Sequence, residues 1–149
     1  MRIKLLLNDD KYAEISRQLL SLGIEIDDDA DLVLMERNTF ISHLSLKDND
    51  GAKVNVAVED IIFIESYSHD IAVHTVDGCY KSTERLYQLC TMLDPQKFLR
   101  ISNSVIIAKE HVKKIRPALS MKFVLTMSDG TLVDVTRSYY NIFKEFFNI

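Results

Sequence analysis

The chain has 149 residues, is 47% hydrophobic and holds only two prolines. It can therefore bury a core as one domain, or as a domain with a small appendage, and is not a disordered polymer. Its formal net charge of −4 argues against a polyanion partner only until it is divided along the chain. Residues 1–50 carry six basic and eleven acidic side chains, whereas residues 51–149 carry twelve and eleven. The cations of the second part bunch between Lys97 and Lys122, where Glu110 is the single acid. Local patches of this kind, rather than whole-chain charge, decide phosphate binding.

No apolar run approaches the roughly 18–20 residues of a membrane span. The leucines after Arg2 and Lys4 give way to Asn8-Asp9-Asp10 too soon for a signal peptide. Cys79 and Cys90 form no C-x-x-C pair, so reduced, buried thiols in a cytoplasmic protein are expected. His43, His69, His74 and His111 are scattered, and no metal-ligand spacing, Gly-rich phosphate loop or ordered catalytic triad is visible. No cofactor, metal or enzymatic activity is expected.

In chain order, Ile3–Leu7 reads as a short buried strand. Asp9 or Asp10 caps a helix with Ile15, Leu19 and Leu22 on one face, and Gly23 stops it. Ile24–Ile26 and Leu32–Met35 are further apolar runs around the acidic bend Asp27-Asp28-Asp29. Ser42–Lys53 is polar, with Asp48-Asn49-Asp50-Gly51 a strong turn signal, so a boundary falls there. The expected division is a small βαβ-type segment, 1–45, and a main domain, 46–149.

Beyond it, Val54–Val58 alternates, and Ile61–Ser66 and Ile71–Val76 read as strands. Asp77-Gly78 turns the chain into Cys79–Lys81. Thr83–Leu93 fits one amphipathic helix ended by Asp94-Pro95. Phe98–Ile101 and Val105–Ile107 flank the polar turn Ser102-Asn103-Ser104. Val112–Arg116, Lys122–Met127 and Thr131–Thr136 are the remaining strands, and Ser138 caps a final aromatic helix. The fold class is mainly β with short helices, α+β overall.

Three motifs stand in order: Asp60-Ile61-Ile62-Phe63-Ile64-Glu65, then Phe98-Leu99-Arg100-Ile101-Ser102-Asn103-Ser104, then Val133-Asp134-Val135-Thr136-Arg137 before a helix. From about Val54 to Phe147 this set resembles the LytTR DNA-binding domain of bacterial transcription regulators. The resemblance implies an elongated β fold whose loops enter successive major grooves of double-stranded DNA. It places Asn103 and Arg137 on the DNA, with Ser102 beside them. It also brings in one residue of the loop Tyr67-Ser68-His69, where His69 leads and Tyr67 and Ser68 are rivals. Lys109, Lys113 and Lys114 are generic phosphate partners, and Arg100 supports the turn. One module offers few base contacts, so two copies on repeated half-sites are expected, as a homodimer joined by protein contact or by DNA proximity.

Residues 1–36 resemble the opening third of a response-regulator receiver domain, with Asp9 and Asp10 on its acidic pair. Glu36 stands where the phosphoacceptor aspartate would be, so phosphorylation is not expected. The alternative function is a protein-interaction module that binds or sequesters a partner regulator, the acidic N-terminal segment carrying that role.

Overall fold

A computed structural model describes residues 1–36 and 40–149, and the chain divides into two compact units, Met1–Phe40 and Ile41–Ile149. In the first unit, β1 (Arg2–Leu6) lies between β2 (Glu25–Ile26) and β3 (Leu32–Met35), all parallel. The parallel order needs a crossover, which α1 (Asp9–Ser21) supplies after β1. Asn8, not Asp9 or Asp10, caps α1: its side-chain oxygen accepts the Lys11 N–H at 3.1 Å. The two aspartates instead occupy the first helical turn, where a carboxylate suits the helix dipole. Asp27 accepts the Asp29 N–H at 2.9 Å and the Arg2 guanidinium at 2.7 Å. That backbone bond first, and the arginine with it, hold its carboxyl below the usual range against a small opposing effect of burial. Glu36 pairs with Lys11 at 3.2 Å.

The second unit contains a seven-stranded antiparallel sheet in the order β5-β4-β8-β7-β6-β10-β9. Its strands are β4 (His43–Lys47), β5 (Lys53–Ala57), β6 (Ile61–Tyr67), β7 (Asp70–Thr75), β8 (Gly78–Ser82), β9 (Phe98–Arg100) and β10 (Val105–Ala108). A meander of β11 (Val112–Ala118), β12 (Lys122–Met127) and β13 (Leu132–Val135) forms a three-stranded sheet. Two helices complete the unit, α2 (Leu86–Met92) and α3 (Tyr140–Phe147). The chain is mostly sheet with short helices, as its sequence implies.

β6 and β10 are buried on both faces. Ile61, Ile64 and Ile106 pack into one cluster with Leu44, Leu46, Val73 and the α2 residues Leu86 and Leu89. Ile62, Phe63 and Ile107 pack into a second with Phe123, Leu125, Met127, Val135 and Phe143. A strict alternation would send Ile62 and Phe63 to opposite faces. The register irregularity between Ile61 and Phe63 puts both in the second cluster. The unbroken run Ile61–Ile64 is thus a strand with no solvent face.

Several expectations need correction. β4 lies inside the stretch read as a polar boundary, and the division between 45 and 46 would cut this strand in two. Its residues alternate, with Leu44 and Leu46 buried and His43, Ser45 and Lys47 outward, which is the signature of a half-buried strand. The expected helix from Thr83 starts only at Leu86, because Ser82 caps its own turn by accepting the Glu84 N–H at 3.0 Å. Ser138 caps nothing. It sits within a 3₁₀ turn, Arg137–Tyr139, that precedes α3. Cys79 and Cys90 are exposed rather than buried. Partial desolvation of each sulfur, joined at Cys79 by the Glu65 charge, pushes both thiols up and keeps them protonated at neutral pH.

Phe143 seals the second cluster, with its ring 5.0 Å from Phe123 and 4.7 Å from Phe147. Phe143→Ala removes a fully buried ring and should cost about 3–5 kcal/mol of stability. Its neighbour Ile142 is exposed, so Ile142→Ala should stay within about 0.5 kcal/mol. Urea denaturation of both variants checks the contrast, and equal losses would refute this account of the core.

Candidate nucleic-acid interface

The Ile101–Ser104 turn is held from three sides. Ile101 is fully buried, and its N–H donates to the Val105 carbonyl at 2.9 Å. The Ser102 hydroxyl accepts the Ser104 N–H at 3.2 Å. From outside, the Arg100 guanidinium donates to the carbonyls of Ser102 at 3.1 Å and Asn103 at 2.5 Å. Arg100 therefore spends its charge on the turn, the supporting role expected of it. Asn103 alone is left exposed at the apex.

Two long-range bonds bring the third motif to this apex. The Thr136 N–H donates to the Ile101 carbonyl at 3.0 Å, which ties the end of β13 to the turn. One residue later Arg137 is exposed, with no ion-pair partner among the described residues. The Tyr139 hydroxyl donates to Asn103 Oδ1 at 3.4 Å. That bond orients the amide and leaves its two N–H donors free to face outward. Tyr139 was not singled out in the sequence, where it belongs to the apolar series of the last helix.

The loop Tyr67-Ser68-His69 joins the same end of the sheet. The Ser66 N–H donates to the Ser104 carbonyl at 2.8 Å, locking the β6–β7 hairpin to the Asn103 turn. Tyr67 and Asp70 pair directly, so Ser68 and His69 form a two-residue tip. Ser68 takes the left-handed backbone (φ 55°) that such tight connections demand. Tyr67, Ser68 and His69 are all exposed. Between this hairpin and the turn lies a depression of about 170 Å³, lined by Ser68, Asp70, Arg85, Arg100 and Asn103 among others. Arg85 supplies a cation that its position in the sequence did not flag. It offsets the Asp70 carboxylate at this site.

Other candidates stand apart from the corner. Ser102 is buried, so its hydroxyl serves the turn rather than the surface, a correction to its expected place on DNA. Lys109 points its ammonium over the rings of Phe146 and Phe147, at 4.9 and 5.5 Å from their centroids. This cation–π arrangement ties it to α3. Lys113 and Lys114 are exposed on β11, and Lys114 is level with Thr126 and Leu132. Five residues of extended chain separate Leu132 from Arg137, roughly 17 Å. Among the described residues no group of three or more His, Cys, Asp or Glu is placed to hold a metal ion. No helix is long and apolar enough to cross a membrane.

The comparisons with known proteins agree with this arrangement. The family model of the LytTr DNA-binding domain matches residues 51–148. The sensory transduction protein LytT of Bacillus subtilis is 26% identical over 120 residues, covering 80% of this chain and 50% of that protein. The transcriptional regulatory protein LytR of Staphylococcus aureus is 29% identical over 86 residues, covering 58% of this chain and 35% of that one. The chain thus spans half or less of the length of these curated relatives. A solved LytTr DNA-binding domain from Bacillus cereus superposes with a TM-score of 0.70 at 25% identity, over 73% of this chain and 99% of its own. With its three motifs folded onto one corner and its second unit matched almost throughout, the chain belongs to the LytTR DNA-binding domain family.

Proposed function

We propose that this protein binds duplex DNA at specific sequences as a bacterial transcription regulator and carries out no catalysis. One observation carries the reading. Asn103, Arg137 and the Tyr67–His69 tip come from three separate parts of the chain, and backbone hydrogen bonds fix them on one edge. The Asn103 amide offers paired donor and acceptor groups to an adenine edge. The Arg137 guanidinium can grip guanine O6 and N7 together. Arg85 and the hairpin cations add phosphate attraction. The loops on this edge enter successive major grooves, and two copies occupy repeated half-sites.

A DNA-binding selection on random duplexes would supply the target site. On that site Asn103→Ala and Arg137→Ala should each lose about 1–3 kcal/mol of discrimination against scrambled duplex. Their urea midpoints should stay near that of the parent, since both side chains are exposed. If both variants discriminate as well as the parent, the assignment of the corner to base reading falls.

A second reading assigns the first unit to protein contact. Leu20, Leu22, Leu32 and Leu34 are exposed there, and the unit's acidic balance makes it a poor phosphate partner. We infer that it joins two copies on adjacent half-sites. Residues 41–149, which retain all of β4, should then keep single-site binding and lose affinity selectively on a two-site duplex. Gel-shift titration against one-site and two-site duplexes reads this directly. Equal losses on both would show that residues 1–40 serve the fold of the whole chain instead.

A further inference from the structure

The hairpin of β11 and β12 is unlike the rest of the surface. From Val112 to Met127 it carries Lys113, Lys114, Arg116 and Lys122 and no acidic residue. The register places Lys114 opposite Thr126, Arg116 opposite Val124 and Ala118 opposite Lys122. Directly paired residues share a face, so Lys114, Arg116 and Lys122 line one side of the ribbon. Phe123, Leu125 and Met127 point the other way, into the core. One acid on the neighbouring strand, Asp134, faces the same side as Arg116, across Val124.

The tip of this basic ribbon is apolar. Leu119 is 91% exposed and Met121 44% exposed. Ser120 and Met121 both adopt left-handed backbone, with φ of 65° and 57°. Two consecutive non-glycine residues there are uncommon, and strain of this kind collects at functional positions. The tip also lies beside the reading corner. Val135 pairs with Phe123, so continuing the register puts Arg137 level with Met121, one strand spacing or about 5 Å away.

We propose that the β11–β12 hairpin is a DNA-deforming arm. Lys114, Arg116 and Lys122 track phosphates along the duplex, while Leu119 and Met121 wedge against base steps next to the site read by Arg137. The partner is fixed by charge: four cations and no acid lead to the apolar tip, and the adjoining corner already presents DNA-reading groups. Apolar side chains carried on a basic ribbon can unstack a base step and bend the duplex. The inference rests on the DNA-binding reading above and adds a second contact region to it.

The test uses the full chain and a duplex of the selected site labelled at both ends for resonance energy transfer. Binding of the parent should shorten the end-to-end distance. The double variant Leu119→Ser, Met121→Ser should bind with little or no shortening and with affinity lower by on the order of ten-fold. Its urea midpoint should match the parent's, because both residues are exposed. The double variant Arg116→Gln, Lys122→Gln should lower the slope of log affinity against log salt by about 1–2, near 0.9 per phosphate released. A parent that leaves the duplex straight, or a tip variant that bends it equally well, overturns the proposal. So does a tip variant that bends DNA normally but sediments in a changed oligomeric state, since that would assign the tip to a second copy of the chain. Discrimination by Asn103→Ala is scored on the same duplex. A straight duplex bound with parental specificity sinks the arm and leaves the DNA reader standing, whereas bending without specificity does the reverse.

Discussion

The bond from the Thr136 N–H to the Ile101 carbonyl holds the interface together. It spans 35 residues of sequence and joins the seven-stranded sheet to the meander at the point where both present polar side chains. Ile101 is fully buried, so the carbonyl sits in a place where an unmade hydrogen bond would be costly. That cost keeps the turn and the end of β13 in register. Without it, Asn103 and Arg137 would sit on separately moving loops, and a pair of base contacts needs fixed spacing.

The turn shows how polar and apolar forces divide this work. Burial of Ile101, Ile106 and Ile107 anchors its two strands, and that burial is indifferent to direction. Orientation comes from the directional bonds of Arg100, Ser102 and Ser66. Arg100 is the costliest of these to commit, since a cation near DNA would otherwise attract phosphate. Its guanidinium instead satisfies two carbonyls that point away from any strand partner. The charge still contributes to the local field, while its geometry belongs to the protein.

Much of this was legible in the sequence, and what escaped follows a pattern. Local chemistry was readable: Asp77-Gly78 and Ser128-Asp129-Gly130 do turn the chain between paired strands, and the apolar runs at Ile61 and Val105 do become central strands. The order of the three motifs gave the family and its exposed Asn103 and Arg137. Features set by distant partners were not readable. β4 rests on only two leucines among polar residues, and its pairing with β5 and β8 cannot be seen locally. Tyr139 looks like one more core aromatic until the turn, 36 residues earlier, supplies the amide it holds. Ser102 and Lys109 carry surface chemistry in their side chains, yet one is enclosed by its own turn and the other is drawn over aromatic rings.

The seam between β4 and β8 has a thermal consequence. β4 shares five register pairs with β5 but only one with β8, Lys47 opposite Lys81. Like charges facing each other there weaken the join. What holds the β4–β5 hairpin to the rest is mainly the burial of Leu44 and Leu46, helped by the Ile41 N–H on the Met92 carbonyl. Apolar burial loses strength on cooling, unlike the dense hydrogen-bond ladder between β6 and β7. Refrigeration therefore loosens this one margin of the sheet relative to its centre, and amide exchange of β4 measured against β6 across temperature would register the difference.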